Sequence, residues 1–152
     1  MSYLRDVSSG IIMFVELDWS DPYLMRDRPR LITDKIAGSG FYMFLWEKKP
    51  LYIGQAYYES IRSRITSHRA FTDRVGRWVY DHGASIEEVE FKVAYFVSDD
   101  KTLYRDVECL LVYSAQPILP GHEDCKNAYH GRELKIHNNG EYEPLEHEII
   151  SP

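Results

Sequence analysis

Cysteine is nearly absent from this chain of 152 residues; it has two, Cys109 and Cys125. Two cysteines cannot build the disulfide scaffold that holds small secreted domains together. Cys109 adjoins Leu110 and Leu111 and reads as a buried free thiol. Long apolar runs are missing as well, and none approaches the roughly 18–20 residues of a membrane-spanning helix. The first residues lack the basic segment and apolar stretch of a secretory signal. Together these absences lead to the expectation of a soluble, cytoplasmic protein with no membrane partner. An excess of positive charge is lacking too. Eighteen Lys and Arg stand against 24 Asp and Glu, a net charge of −6, whereas nucleic-acid-binding domains are usually basic. No internal repeat or low-complexity segment is present.

What is there fits one domain with a real core: the length suits a single unit and 44% of the residues are hydrophobic. Ile11 to Val15 reads as a strand in an otherwise irregular N-terminal stretch, with a turn at Asp21-Pro22. Residues 41–46 and 51–54 are apolar and aromatic, and the charged connection Glu47-Lys48-Lys49-Pro50 makes them a β-hairpin. Ser60 is the predicted N-cap of a helix through residue 69 that buries Ile61 and Ile65. Thr72 or Asp73 starts a second helix, closed by Gly83. Residues 89–97 alternate, which predicts a half-buried strand with Val89, Phe91, Val93, Tyr95 and Val97 on one side. Ser98-Asp99-Asp100 caps a third helix whose Leu103, Val107, Leu110 and Leu111 share a face, and Pro117 ends it. Near the C-terminus, Asn139-Gly140 between strand-like flanks predicts a hairpin turn.

The charge is unevenly spread. Residues 60–80 hold Arg62, Arg64, Arg69, Arg74 and Arg77 against Asp73 alone, a local charge of +4. Such a strip is either a phosphate-binding surface or a solvated helix face. Arg64 and His68, four apart, lie on one helix face. An arginine held near two tyrosines forks onto a phosphate and stabilises the charge that builds there. Glu108 sits at the border of an apolar helical stripe, where a carboxylate needs a partner. A divalent cation fills that role, and so does a salt bridge to Arg105 or Lys101. His122, Cys125 and His130 form one other cluster, whose spacing fits no regular zinc finger.

Gly40-Phe41-Tyr42 and Tyr52-Ile53-Gly54, followed by Arg64, His68, Glu108 and Asn127 in that order, resemble the catalytic domain of the GIY-YIG nucleases. The likeness covers roughly residues 38–127. It departs at Phe41, where the family name has isoleucine, and at Arg64, which lies twelve residues after Tyr52 while Arg62 lies ten after. Arg64 is preferred because its spacing to His68 matches and Arg62 is on another face; two extra residues around Tyr57-Tyr58 account for the offset.

The resemblance implies an α/β (α+β) fold: a small central antiparallel sheet from the 41–46, 51–54 and 89–97 strands, flanked by three helices. Residues 1–37 are an N-terminal extension packed on the core, and residues 128–152 a C-terminal hairpin and acidic tail. It also implies an endonuclease that hydrolyses DNA with one Mg²⁺ or Mn²⁺ ion, in a phage, restriction, repair or mobile-element setting. Glu108 holds the metal, Arg64 the phosphate, and His68 orients a tyrosine or shuttles a proton. Tyr42 and Tyr52 both qualify as general base, with a neighbouring cation lowering the phenol pKa from about 10. Arg62, Arg69, Arg74 and Asn127 are expected to contact substrate. The alternatives are a non-catalytic nucleic-acid-binding module of the same fold, or a nuclease subunit that needs a targeting partner or a second copy.

Overall fold

The computed structural model describes residues 2–7, 10–30, 38–70, 73–119 and 123–152. Thr72 and His122 lie outside them. The chain is a mixed α/β structure around one sheet of eight strands: β1 (Ser2–Val7), β2 (Gly10–Trp19), β3 (Tyr23–Leu24), β4 (Gly40–Trp46), β5 (Lys49–Ala56), β6 (Glu90–Tyr95), β7 (Leu134–Gly140) and β8 (Glu148–Ile150). Its main order is β5-β4-β6-β2-β7-β8, with β1 paired to β2 and β3 to β6. The expected antiparallel trio of β5, β4 and β6 is its first half. The N-terminal stretch expected to be mostly irregular is instead the hairpin β1–β2, and β2 runs parallel to β7. Four α-helices are described: α1 (Ile61–Ser67), α2 (Arg74–Asp81), α3 (Lys101–Ala115) and α4 (Glu123–Asn127).

Strand β4 is the spine of the core, because alternate residues point to opposite faces and both faces are covered. Phe41, Met43 and Leu45 join the core under α3, with Leu103, Val107 and Leu111. Tyr42 and Phe44 join the core under α1 and α2, with Ile61, Ile65, Val75 and Val79. Ile61 and Ile65 are fully buried and each adds about 1.5–3 kcal/mol to the docking of α1. The caps are as the sequence predicts. Ser60 accepts from Ser63 N at 3.0 Å, Asp73 from Val75 N at 2.9 Å and Asp100 from Leu103 N at 3.0 Å.

Three expectations are corrected. The 89–97 strand does not keep one buried face: Val89, Phe91 and Val93 are buried, but Tyr95 and Val97 are exposed, and Ala94 and Phe96 are buried on the other side. Phe96 packs there against Phe41 and Tyr104. A sheet covered on both faces carries no single alternation. Asn139-Gly140 is not a two-residue turn either, since β7 runs through it and the connection to β8 spans residues 141–147. Asn138 is fully buried within that strand. It accepts from Trp19 Nε1 at 2.9 Å and donates to Glu146 O at 2.8 Å, which fixes the strand against β2. Finally, Cys109 is not a free thiol: a disulfide joins it to Cys125 and ties α3 to α4. Closing a loop of that length stabilises a fold by about 3 kcal/mol in the chain-entropy account.

Candidate active site

The hairpin β4–β5 sets Tyr42 directly opposite Gly54. That pairing explains the glycine of the second tripeptide. A Cβ on Gly54 would lie 2.4 Å from the Tyr42 hydroxyl, so only glycine lets the phenol lie across β5. Gly40 is constrained in the same way, since a Cβ there would meet the carbonyl oxygen of Ala94 on β6 at 2.1 Å. Both glycines therefore serve close backbone approach.

Tyr42 is 0% exposed. Its hydroxyl lies 2.8 Å from His68 Nε2, and His68 Nδ1 lies 3.0 Å from Asp73 Oδ2. Asp73 Oδ2 also accepts from Val75 N and Gly76 N as the N-cap of α2. A carboxylate only accepts, so His68 Nδ1 carries the proton and donates to it. Nε2 of the neutral ring is left to accept from the Tyr42 hydroxyl. Burial holds the His68 pKa below the ordinary imidazole range, outweighing the attraction of Asp73, which keeps the ring neutral. A buried Tyr–His–Asp chain results, anchored in the first turn of α2.

Tyr52 is the other phenol, and it is half-buried at the edge of the same core. It lines a cleft of about 460 Å³ with Gln55, Tyr57, Glu59, Arg64, Lys101 and Glu108. Its ring lies 4.9 Å from that of His68 and 6.2 Å from that of Tyr42. Arg64 enters from α1 and meets Glu59 at 3.3 Å. Burial works against the Arg64 charge, but Tyr42, Glu59 and Tyr52 outweigh it and raise its pKa. Glu108 enters from α3 and is only 4% exposed. Lys101 is two turns before Glu108 on the same helix and shares the cleft, whereas Arg105 lines a cavity on the other side of α3.

A lowered phenol pKa is not what these side chains produce. Burial pushes Tyr42 well above the usual phenol range, with the Tyr52 charge adding to the rise. Burial also raises Tyr52, followed by Glu108; Arg64 opposes both rises without cancelling either.

The other expected residues are spread more widely. Arg62 is on α1 outside the cleft lining. Arg69 donates to Glu87 at 2.8 Å. Arg74 opens α2, and its charge reaches Tyr52. Asn127 is exposed at the end of α4 and does not line the cleft. The arginine strip is less positive than its sequence, because acids from outside the window fold onto it. Glu59 meets Arg64, Glu87 meets Arg69, and Asp81 meets Arg77 at 3.6 Å.

Sequence reasoning missed the part Asp73 plays beyond starting a helix, and it missed Gln55, Tyr57 and Glu59. The signal for Asp73 was present. An N-cap carboxylate five residues after a histidine at a helix end has an acceptor to spare for it. Gln55 directly follows the second tripeptide, and its Oε1 is buried with no hydrogen-bond partner among the described residues. Among those residues no group of three or more His, Cys, Asp or Glu side chains converges on one point. No family model, no curated protein and no solved structure matches this chain.

Proposed function

We propose that the chain is a divalent-metal-dependent endonuclease that hydrolyses DNA phosphodiester bonds with the fold and apparatus of the GIY-YIG nucleases. The observation that carries this reading is the convergence of Tyr52, Arg64 and Glu108 on one open cleft from β5, α1 and α3. The antiparallel trio β5-β4-β6 and the placement of Tyr42 and His68 behind Tyr52 support it.

Arg64 binds the scissile phosphate, exchanging its exposed contact with Glu59 for a forked one. Tyr52, the phenol that lines the cleft, takes the proton of the attacking water. Tyr42 is a positioning residue, held by His68 and Asp73 so that Tyr52 and Arg64 keep their places. Glu108 would hold the Mg²⁺ or Mn²⁺ ion. A hard cation takes one or two carboxylates and fills its remaining positions with water, carbonyl-type and phosphate oxygens, and Gln55, which lines the same cleft, would offer its unsatisfied Oε1 as such an oxygen. When bound, the ion supplies Lewis acidity to the scissile phosphate and charge that favours the phenolate form of Tyr52.

No described helix is long and apolar enough to cross a membrane. Cytoplasmic residence belongs to the same proposal, and it requires the Cys109–Cys125 bond to withstand a reducing pool. The pairing of Arg69 and Arg77 with acids favours a second reading, a nuclease subunit whose targeting comes from a partner or a second copy.

The test is incubation of the purified chain with supercoiled plasmid in Mn²⁺ or in chelator. Nicked circles are expected with Mn²⁺ alone. Cleavage that persists in chelator would remove the metal from the mechanism, and binding without cleavage of any DNA would reduce the chain to a binding module.

A further inference from the structure

Between β5 and α1 the chain makes an irregular turn whose rings the mechanism above leaves unused. Tyr58 is 77% exposed, the most exposed large apolar side chain among the described residues. Its backbone φ is +55°, in the left-handed region that bulky residues seldom occupy. A plain surface turn would put glycine or asparagine there. Tyr57 stands behind it, with ring centroids 4.3 Å apart and planes inclined by 35°. Tyr57 is itself fixed. Its hydroxyl donates to Asp99 O at 2.8 Å, and its ring packs edge-on against buried Tyr104 at 4.9 Å. A ladder of three rings thus runs from the core to solvent, its last rung open on one side. Tyr57 also lines the cleft that holds Arg64, Lys101 and Glu108. These two tyrosines are where the spacing between Tyr52 and Arg64 exceeds the resembled family's by two residues.

We infer that Tyr58, backed by Tyr57, is a stacking platform for an unpaired nucleobase next to the scissile phosphate, so that the substrate is single-stranded or locally opened DNA. The inference rests on the reading of the cleft as a phosphodiesterase site. Three arguments carry it. An exposed aromatic face held rigid from behind takes a flat ring at little entropic cost. In an uninterrupted duplex each base already stacks on its neighbours, so only an unpaired base offers a face. Duplex binding draws on many phosphate contacts, yet the chain carries −6 overall and Arg69 and Arg77 are already paired with acids. A contact that is not ionic therefore adds affinity that so acidic a chain gains less readily from phosphates.

The test is fluorescence anisotropy with a fluorescein-labelled single-stranded DNA dodecamer and with its duplex, both in chelator so that nothing is cut. Tyr58→Gly is the variant of choice because glycine accepts the left-handed backbone while removing the ring. The wild type is expected to prefer the single strand. Tyr58→Gly should bind it about tenfold more weakly, with duplex binding little changed, and Tyr58→Phe should keep the wild-type preference. Equal single-strand affinity for Tyr58→Gly and wild type, or a wild-type preference for duplex, would overturn the platform. Plasmid nicking in Mn²⁺ is scored beside it. Nicking without a Tyr58-dependent preference overturns the platform alone, whereas neither nicking nor binding overturns the nuclease reading with it.

Discussion

Two cavities flank α3, and they differ in what their charges already do. The larger, about 570 Å³, lies between α3, α4 and residues 128–132. There Arg132 donates from Nε to Asp106 at 2.8 Å and from Nη1 to Asp100 at 3.0 Å, and Cys109 and Cys125 cross-link the wall. Arg132 is thus held by two carboxylates beside a cross-link, which makes this wall read as a joint. The smaller, about 460 Å³, holds Arg64, whose carboxylate partner Glu59 is exposed, together with Tyr52 and an amide oxygen on Gln55 that no described donor reaches. Size and unsatisfied chemistry therefore point to different cavities. What marks the candidate site is hydrogen-bonding capacity that the fold leaves unsatisfied beside the cleft, because an incoming ligand can satisfy only groups that the fold has not already satisfied.

The comparison is broken most sharply on the Glu108 side. Glu108→Gln should lower Mn²⁺-dependent nicking about a thousandfold, or roughly 4 kcal/mol, with an unchanged circular dichroism spectrum. A variant that still nicks would leave the two cavities equal in chemical standing.

Removing the cleft's own phenol or cation comes next. Tyr52→Phe and Arg64→Ala should each slow nicking about a hundredfold, and Tyr42→Phe should slow it less. If Tyr42→Phe proves the slower enzyme, the base is the buried phenol and the cleft has been read from the wrong wall.

The joint should respond in stability and not in chemistry. Arg132→Ala leaves the Asp106 carboxylate, 5% exposed, without its cation, at a cost of about 2 kcal/mol. Thermal melting should drop while turnover per folded molecule stays constant; a selective loss of turnover would make the joint a second functional site.

The smallest effect sharpens the picture of His68. Burial depresses its folded pKa below the unfolded value of about 6.5. In that window the unfolded chain binds more protons than the folded one. Stability is thus fully present above about pH 6.5 and is lost as pH falls through the folded pKa. The melting temperature of the wild type should fall more between pH 7.5 and 5.5 than that of His68→Asn. Parallel curves would mean that the ring is not held neutral.

Much of the first half of the sheet was legible because its signals are local. The hairpin of β4 and β5 follows from apolar runs around a charged connection, and the caps Ser60, Asp73 and Asp100 follow from side chains that bond amides two or three residues on. The second half was harder to read. In β7, Asn138 looks like a turn residue until Trp19, 119 positions away, supplies its partner. Lys92 looks like a solvent-facing charge in a strand, yet it is buried and donates to the carbonyls of Glu141 and Glu143 at 2.6 and 2.8 Å. In both cases the polar group is satisfied by a segment distant in the chain, and composition says nothing about such a partner. The arginine strip is less positive in the fold than in its window for a related reason, since the sum omits acids just beyond its edges and those that folding brings in.

By itself the sequence determined the elements around the candidate site and the residue types at hand: two tyrosines on paired strands, Arg64 and His68 on one helix, Glu108 on another. Period, capping and turn chemistry act within a few residues, and those are the forces a linear reading can follow. Only the tertiary structure decided that Tyr42 turns inward to His68 and Asp73 while Tyr52 lines the cleft, that Arg64 and Glu108 share that cleft, and that the two cysteines meet. Those outcomes depend on which face of the sheet each helix covers. Packing of residues far apart in the chain sets that choice.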